Sequence, residues 1–289
     1  MSTLLLILAL AGDGPNDWFL KELPNREKRL SEEFLKGRWR FFLVSSSGDQ
    51  KDWADIDWKE GRGSFVLKKL VSRAGVPDES IIVRNPRYSF AIQRNPDLVQ
   101  GARTTIFKPT EKVGDLESHL SASPGRQAFY VSKLLGLGEN SPRRFQLLNV
   151  ERKTEREIPR IVATFRDDLK LKGKPTLNRR QVITYREDLG WALERIDMFA
   201  LLDGKESLTD SVRLVYDTKQ GKRADLALTQ VDRDLEYPID GKPHRVEERM
   251  SVVERDPNFV LAEEQARMSA FGLPEPTLSD DGIKANSKK

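Results

Sequence analysis

Period-two alternation dominates this chain. Trp39, Phe41 and Leu43 alternate with Arg38, Arg40 and Phe42, as in a strand whose successive side chains face opposite sides. After the turn Ser45-Ser46-Ser47-Gly48-Asp49, Ala54, Ile56 and Trp58 alternate with Trp53, Asp55 and Asp57. Gly61-Arg62-Gly63 marks the next turn, and Ser64 to Val71 the next strand. Strands at about ten-residue spacing with tight turns predict an antiparallel meander. Arg84-Asn85-Pro86 and Arg94-Asn95-Pro96 then bracket Tyr88, Phe90 and Ile92. Each Asn-Pro ends an extended run, because proline donates no ladder hydrogen bond and restricts its predecessor. Arg103 to Lys108 reads as one more short strand.

Helical spacing occurs in two places. Leu30 and Phe34 lie four apart between Pro24 and Gly37, with Asn25 as the expected cap. Val113, Leu116 and Leu120, then Ala128, Val131, Leu134 and Leu135, predict two helices inserted near 110–138. The second half returns to strands. They are expected at Arg144–Glu151, Arg160–Arg166, Arg180–Arg186, Trp191–Phe199, Ser211–Asp217, Asp225–Asp232 and Arg245–Arg255. Polar residues alternate along most of them, which leaves one sheet face to solvent. The predicted class is mainly β (α+β): a large curved antiparallel sheet or half-barrel with an N-terminal helix and a helical insertion. The alternation of helix with strand that a parallel sheet requires is missing.

Residues 1–11 form a separate element. Leu4-Leu5-Leu6-Ile7-Leu8 followed by Ala9-Leu10-Ala11 has the apolar core and small-residue ending of a secretory signal peptide. The run is too short to span a bilayer as a mature helix. The expected organisation is a signal peptide at 1–11, a single β-rich domain at 12–278, and a disordered tail at 279–289. The expected location is the periplasm or the extracellular space. No second apolar run is long enough for stable membrane insertion.

Composition narrows the function. The chain has 289 residues, 38% hydrophobic and 33% charged, with 49 basic and 45 acidic side chains and no cysteine. Stability must come from burial, without disulfides. The pI of about 9.1 reflects a net charge of only +4, with both signs interspersed. Nucleic acid is not an expected partner. The two histidines, His119 and His244, stand far apart and form no ligand pair, so neither a metal nor a cofactor is expected. Gly136-Leu137-Gly138 ends a helix and is no dinucleotide fingerprint. No catalytic residue is assigned. Acidic pairs occur at Asp55 and Asp57, Asp167 and Asp168, and Glu247 and Glu248. Asp55 and Asp57, beside Trp53, are the best seed for a glycosidase; the plainer reading is the wet face of an exposed strand. The aromatic residues concentrate on strands. Trp39, Phe41, Trp58, Phe65, Phe90, Phe165 and Trp191 fit a core or the lining of an apolar cavity.

Three segments carry a resemblance: Arg38-Trp39-Arg40-Phe41, Asn85-Pro86-Arg87-Tyr88-Ser89-Phe90 and Gly190-Trp191-Ala192-Leu193-Glu194-Arg195-Ile196, together with the closing Ser269-Ala270-Phe271-Gly272-Leu273-Pro274-Glu275-Pro276. With the order of elements, they make the chain resemble the bacterial lipoprotein-sorting and lipoprotein-carrier superfamily. The resemblance implies a half-barrel around a lipid-binding cavity and, as partner, an apolar small molecule or a lipid-linked protein. The function expected is therefore a non-enzymatic extracytoplasmic carrier or binding protein. The alternatives are a secreted carbohydrate-active enzyme using Asp55 and Asp57, and an envelope module that binds proteins through strand edges.

Overall fold

A computed structural model describes residues 16–35, 37–61, 64–73, 76–94, 103–107, 143–169, 177–202, 205–219, 223–239, 242–279 and 282–284. The expected signal segment and the whole helical insertion near 110–138, with His119 inside it, lie outside the described residues. The elements, in order, are α1 (Asp17–Leu35), β1 (Gly37–Ser47), β2 (Gln50–Gly61), β3 (Ser64–Arg73), β4 (Val76–Arg84), β5 (Ser89–Arg94), β6 (Arg103–Phe107), β7 (Arg143–Glu155), β8 (Ile158–Leu169), β9 (Leu177–Arg186), β10 (Ala192–Leu202), β11 (Lys205–Tyr216), α2 (Ala224–Ala227), β12 (Leu228–Ile239) and β13 (Lys242–Asp256). Thirteen strands form one open sheet in the order β6-β5-β4-β3-β2-β1-β13-β12-β11-β10-β9-β8-β7. The mainly β, antiparallel class is the one that the period-two pattern predicts.

Several boundaries differ from the sequence reading. Helix α1 starts at Asp17, where the Phe19 amide donates to the Asn16 carbonyl at 3.1 Å, and it runs through Pro24. Pro24 has no amide proton to donate, yet the burial of Phe19 and Leu23 before it and of Leu30 and Phe34 after it holds both halves on one apolar stripe. The strand expected at Asp225 begins only at Leu228. Ala224–Ala227 forms a helical turn, whose Ala227 carbonyl accepts from the Asp217 amide at 2.7 Å. In the polar tail, Thr277–Ser279 and Gly282–Lys284 pair as a short hairpin, β14 and β15.

The residues group into two compact units. One comprises Met1–Phe34 with Pro124–Glu247, the other Leu35–Ser123 with Glu248–Lys289. In the first, Phe19 of α1 meets Phe165 of β8 and Tyr185 of β9 at ring distances of 6.4 and 5.9 Å, and stacks on Trp191 at 5.5 Å. In the second, Val66, Ile81, Val83, Tyr88, Phe90 and Ile92 are packed with Leu261, Ala266 and Met268 from the C-terminal segment. That segment is built from two single 3-10 turns, Glu263–Ala266 and Met268–Phe271.

The β7–β8 hairpin holds its two central residues at positive φ, 52° for Arg156 and 65° for Glu157. Such turns favour Asn-Gly, because a side chain with a Cβ crowds the backbone in this region. The double substitution Arg156→Asn with Glu157→Gly is expected to raise stability by about 1–2 kcal/mol. A higher urea midpoint at unchanged slope is the check; an unchanged midpoint contradicts it.

Candidate ligand-binding face

The ladder register determines which aromatic side chains share a surface. Trp39 of β1 stands opposite Trp58 of β2, Trp58 opposite Leu67 of β3, and Leu67 opposite Ile82 of β4. Residues two apart on a strand share that side, so Phe41 and Phe65 belong to it. The face carries two stacked pairs: Trp39 with Phe41 at 5.3 Å and 11°, and Trp58 with Phe65 at 5.3 Å and 6°. Trp39 and Phe41 are buried, whereas Trp58 and Phe65 are half-buried. The guanidinium of Arg255 lies 4.4 Å from the Trp39 ring centre, a cation–π contact.

The other three aromatic candidates lie elsewhere. Arg38 is opposite Lys59, Lys59 opposite Val66, Val66 opposite Val83, and Val83 opposite Phe90. Phe90 therefore occupies the reverse side of the same strands and packs edge-on against Phe271 at 5.6 Å. Phe165 and Trp191 belong to the unit that contains α1, where Phe19 contacts both. The seven residues thus fall into three packing environments, and four of them share one face.

Trp53, Asp55 and Asp57 occupy one side of β2, as their spacing predicts. Arg38 grips Asp57 through two bonds of 3.0 and 3.2 Å, and Lys59 lies 3.1 Å from it. Burial pushes the Asp57 carboxyl up, but the bonds from Arg38 and Lys59 outweigh this and hold it below its usual value. A general acid needs the opposite shift. Asp57 in this arrangement stays a carboxylate that neutralises cations. Asp55 is 3.7 Å from Arg40. The acidic pair at Asp167 and Asp168 lies in β8 opposite Arg179 and Asn178. Glu247 pairs with Arg245 at 3.0 Å, and His244 packs edge-on against Tyr237 at 5.2 Å. Among the described residues no group of three His, Cys, Asp or Glu side chains could hold a metal ion, and no helix is long and apolar enough to cross a membrane.

Asn85 and the closing segment are separate features of the sequence, and the fold joins them. Buried Asn85 accepts from the amides of Arg87 and Tyr88, both at 2.9 Å, and donates to the Ala266 carbonyl at 2.7 Å. The Tyr88 hydroxyl donates to Glu275 and accepts from the Met268 amide at 3.1 Å. Glu275 also accepts from the Ser269 amide at 2.8 Å. Burial, and then the bond to Glu275, push the Tyr88 hydroxyl up to about 12. The signal in sequence is weak: Asn85 reads as a turn residue and Tyr88 as a phenol with a polar tip, while Ala266, Met268 and Glu275 stand 180 or more positions away.

For Glu275, burial raises the carboxyl pKa, but the bonds from Tyr88 and Ser269 prevail and lower it below the ordinary 4.5. A group with a depressed folded value stabilises the native state above its unfolded pKa. That stabilisation is lost as the pH falls through the folded value. The Glu275→Gln variant is expected to lose this part of the acid dependence while retaining an acceptor for Tyr88. Parallel acid titrations monitored by tyrosine and tryptophan fluorescence test this; coincident curves for the two proteins below pH 4.5 contradict it.

No family model matches the chain, and no curated protein matches it. Among solved structures it is similar to a DUF1329 family protein from Desulfovibrio piger, at 15% identity and a TM-score of 0.40, over 86% of this chain and 98% of that chain. It also aligns with MucB in complex with MucA(peri), at 12% identity and a TM-score of 0.13, over 80% of this chain and 93% of that one. The MucA/MucB complex of Pseudomonas aeruginosa gives 12% identity and a TM-score of 0.14, over 79% and 93%. At these TM-scores the three likenesses carry no argument about what this chain does.

Proposed function

We propose that this chain is a non-enzymatic binding or carrier protein of the cell envelope. Its ligand is a lipid, a lipid-linked protein or another apolar molecule, held on the β1–β3 face by Trp58 and Phe65, with the buried Trp39 and Phe41 packed beneath as their support. The observation that carries the reading is the pair of parallel ring stacks on one face, one buried and the other half-buried. The half-buried rings of Trp58 and Phe65 leave apolar area of low side-chain entropy on a rigid strand pair, backed by the buried Trp39 and Phe41. Covering that remaining area removes it from water at about 25 cal/mol per Å². The segment at 1–11 supports an envelope address through its sequence pattern. Phe90, Phe165 and Trp191 act in packing within this reading.

Uptake of a dansyl-labelled fatty acid by delipidated full-length protein tests the proposal. Saturable emission is expected, with affinity falling about tenfold, or roughly 1.4 kcal/mol, in Trp58→Ala and Phe65→Ala. No uptake by protein with an intact circular dichroism spectrum rejects the apolar ligand. N-terminal sequencing of the native protein tests the address separately. A start at Gly12 supports export, and an intact Met1 rejects it.

A further inference from the structure

The side of β1 and β2 that carries Asp55 and Asp57 is built as a regular diagonal ladder. Arg38 meets Asp57, Arg40 meets Asp55, and Phe42 meets Trp53. Successive rungs are two residues apart on each strand, so they repeat at about 7 Å. The Phe42 and Trp53 rings are stacked at 6.1 Å and 25°, and both are exposed, at 42% and 39%. Large exposed aromatic pairs on a sheet face are uncommon features of a surface without a partner.

The neighbouring rung has unused hydrogen-bonding capacity. Arg40 approaches Asp55 and Glu254 at 3.7 Å each, beyond hydrogen-bond reach. The side chains of Arg40, Asp55 and Glu254 are 38%, 46% and 40% exposed. The adjacent rung is closed, with Arg38 bonded to Asp57 at 3.0 Å. Arg38, Arg40 and Lys59 are balanced by Asp55, Asp57 and Glu254. The ladder therefore has no net charge with which to select an anion or a cation.

An aromatic platform beside open, mutually neutralised donors and acceptors matches one chemistry. A sugar ring presents an apolar C–H face to an aromatic ring and hydroxyls at its rim. We propose that Phe42 and Trp53, with Arg40 and Asp55, form a binding platform for an uncharged glycan. The ring stacks on Trp53, Arg40 donates to its hydroxyl oxygens, and Asp55 accepts from its hydroxyls. No bond is broken, since Asp57 is locked as a carboxylate by Arg38 and Lys59. The platform lies on the opposite side of the strands from Trp39 and Trp58, and it does not depend on the apolar ligand proposed above.

The test is calorimetric titration of the full chain with cellohexaose, chitohexaose and maltohexaose, one at a time. Saturable binding of at least one sugar is expected, accompanied by a change in tryptophan emission. Trp53→Ala lowers that affinity about tenfold or more, and Trp53→Tyr recovers most of it. Asp55→Asn and Arg40→Ala weaken it several-fold. Thermal unfolding by circular dichroism confirms that these exposed substitutions leave the fold intact. Binding of none of the three sugars overturns the proposal, as does equal binding by Trp53→Ala. Concentration-dependent self-association that Trp53→Ala abolishes, without any sugar effect, also overturns it and assigns the rings to contact with a second copy of the chain.

Discussion

Replacing Trp191 by alanine is expected to cost about 3–5 kcal/mol of unfolding free energy, the range for deleting a large buried aromatic side chain. Trp191 is 4% exposed and meets α1 at three points. Phe19 stacks on it at 5.5 Å, Trp18 meets it edge-on at 5.7 Å, and Arg26 lies 5.6 Å from its ring centre. The backbone there is already strained: Trp191 has φ +73° directly after Gly190 at +69°. A Cβ on Gly190 would fall 1.7 Å from the tip of the exposed Arg29 side chain of α1, which can swing aside, so it is the left-handed φ of +69° that favours glycine there. Packing and strain can be separated by a second variant. Trp191→Gly removes the same ring but relieves the left-handed backbone, which costs an L-residue about 1–2 kcal/mol. It should therefore lose about 1 kcal/mol less than Trp191→Ala. Urea unfolding of both variants decides the point; a larger loss in glycine than in alanine shows that φ +73° is not under strain.

Asn85→Ala is expected to cost about 3 kcal/mol, through a different mechanism. The substitution leaves the amides of Arg87 and Tyr88 and the carbonyl of Ala266 without the partner they have now. An unsatisfied buried polar group costs about 1–3 kcal/mol. Asn85→Asp keeps both acceptor bonds but turns the 2.7 Å donation to Ala266 into an oxygen–oxygen contact in a buried site, so it is not expected to be milder than alanine. The structural consequence is local. The segment that places Leu261, Ala266 and Met268 over Val66, Val83 and Phe90 loses the bond that ties its first 3-10 turn to the sheet. Faster amide exchange at Ala270 and Gly272, whose amides close the second turn, is the readout. A variant with native exchange there and a native urea midpoint shows that the Asn85 contacts contribute nothing.

The two variants sample different kinds of legibility. Trp191 announces itself in sequence as a large apolar residue after a Gly turn, but its left-handed backbone does not. Nothing in the residue type predicts φ > 0 for tryptophan, and the conformation exists because α1 supplies Phe19 and Arg26 to hold the ring. Asn85 is legible as a turn residue before proline. Its donation to Ala266 is not, because 181 positions separate them.

Faces were harder to read than strands. Alternation assigns Trp39 and Phe41 to one side of β1, and it assigns Val66 and Phe90 to one side of their own strands. It does not say that these two sides are opposite. That depends on four successive registers from β1 to β5, and a slip of one residue in any of them would reverse the answer. For the same reason the stacked rungs of Phe42 with Trp53 and Arg40 with Asp55 became visible only once β1 and β2 were paired.

Local pattern is enough to establish the class of structure: antiparallel strands in consecutive hairpins, an N-terminal apolar helix stripe, and a surface of interspersed charge. These follow from local period and turn chemistry, which act over a few residues. Tertiary structure alone decided that α1 continues through Pro24, that Ala224–Ala227 turns before β12 begins, and that the C-terminal segment covers Val83 and Phe90. Each of these depends on the burial of side chains against partners distant in the chain. That term is large enough to override local preference, and no local pattern records it.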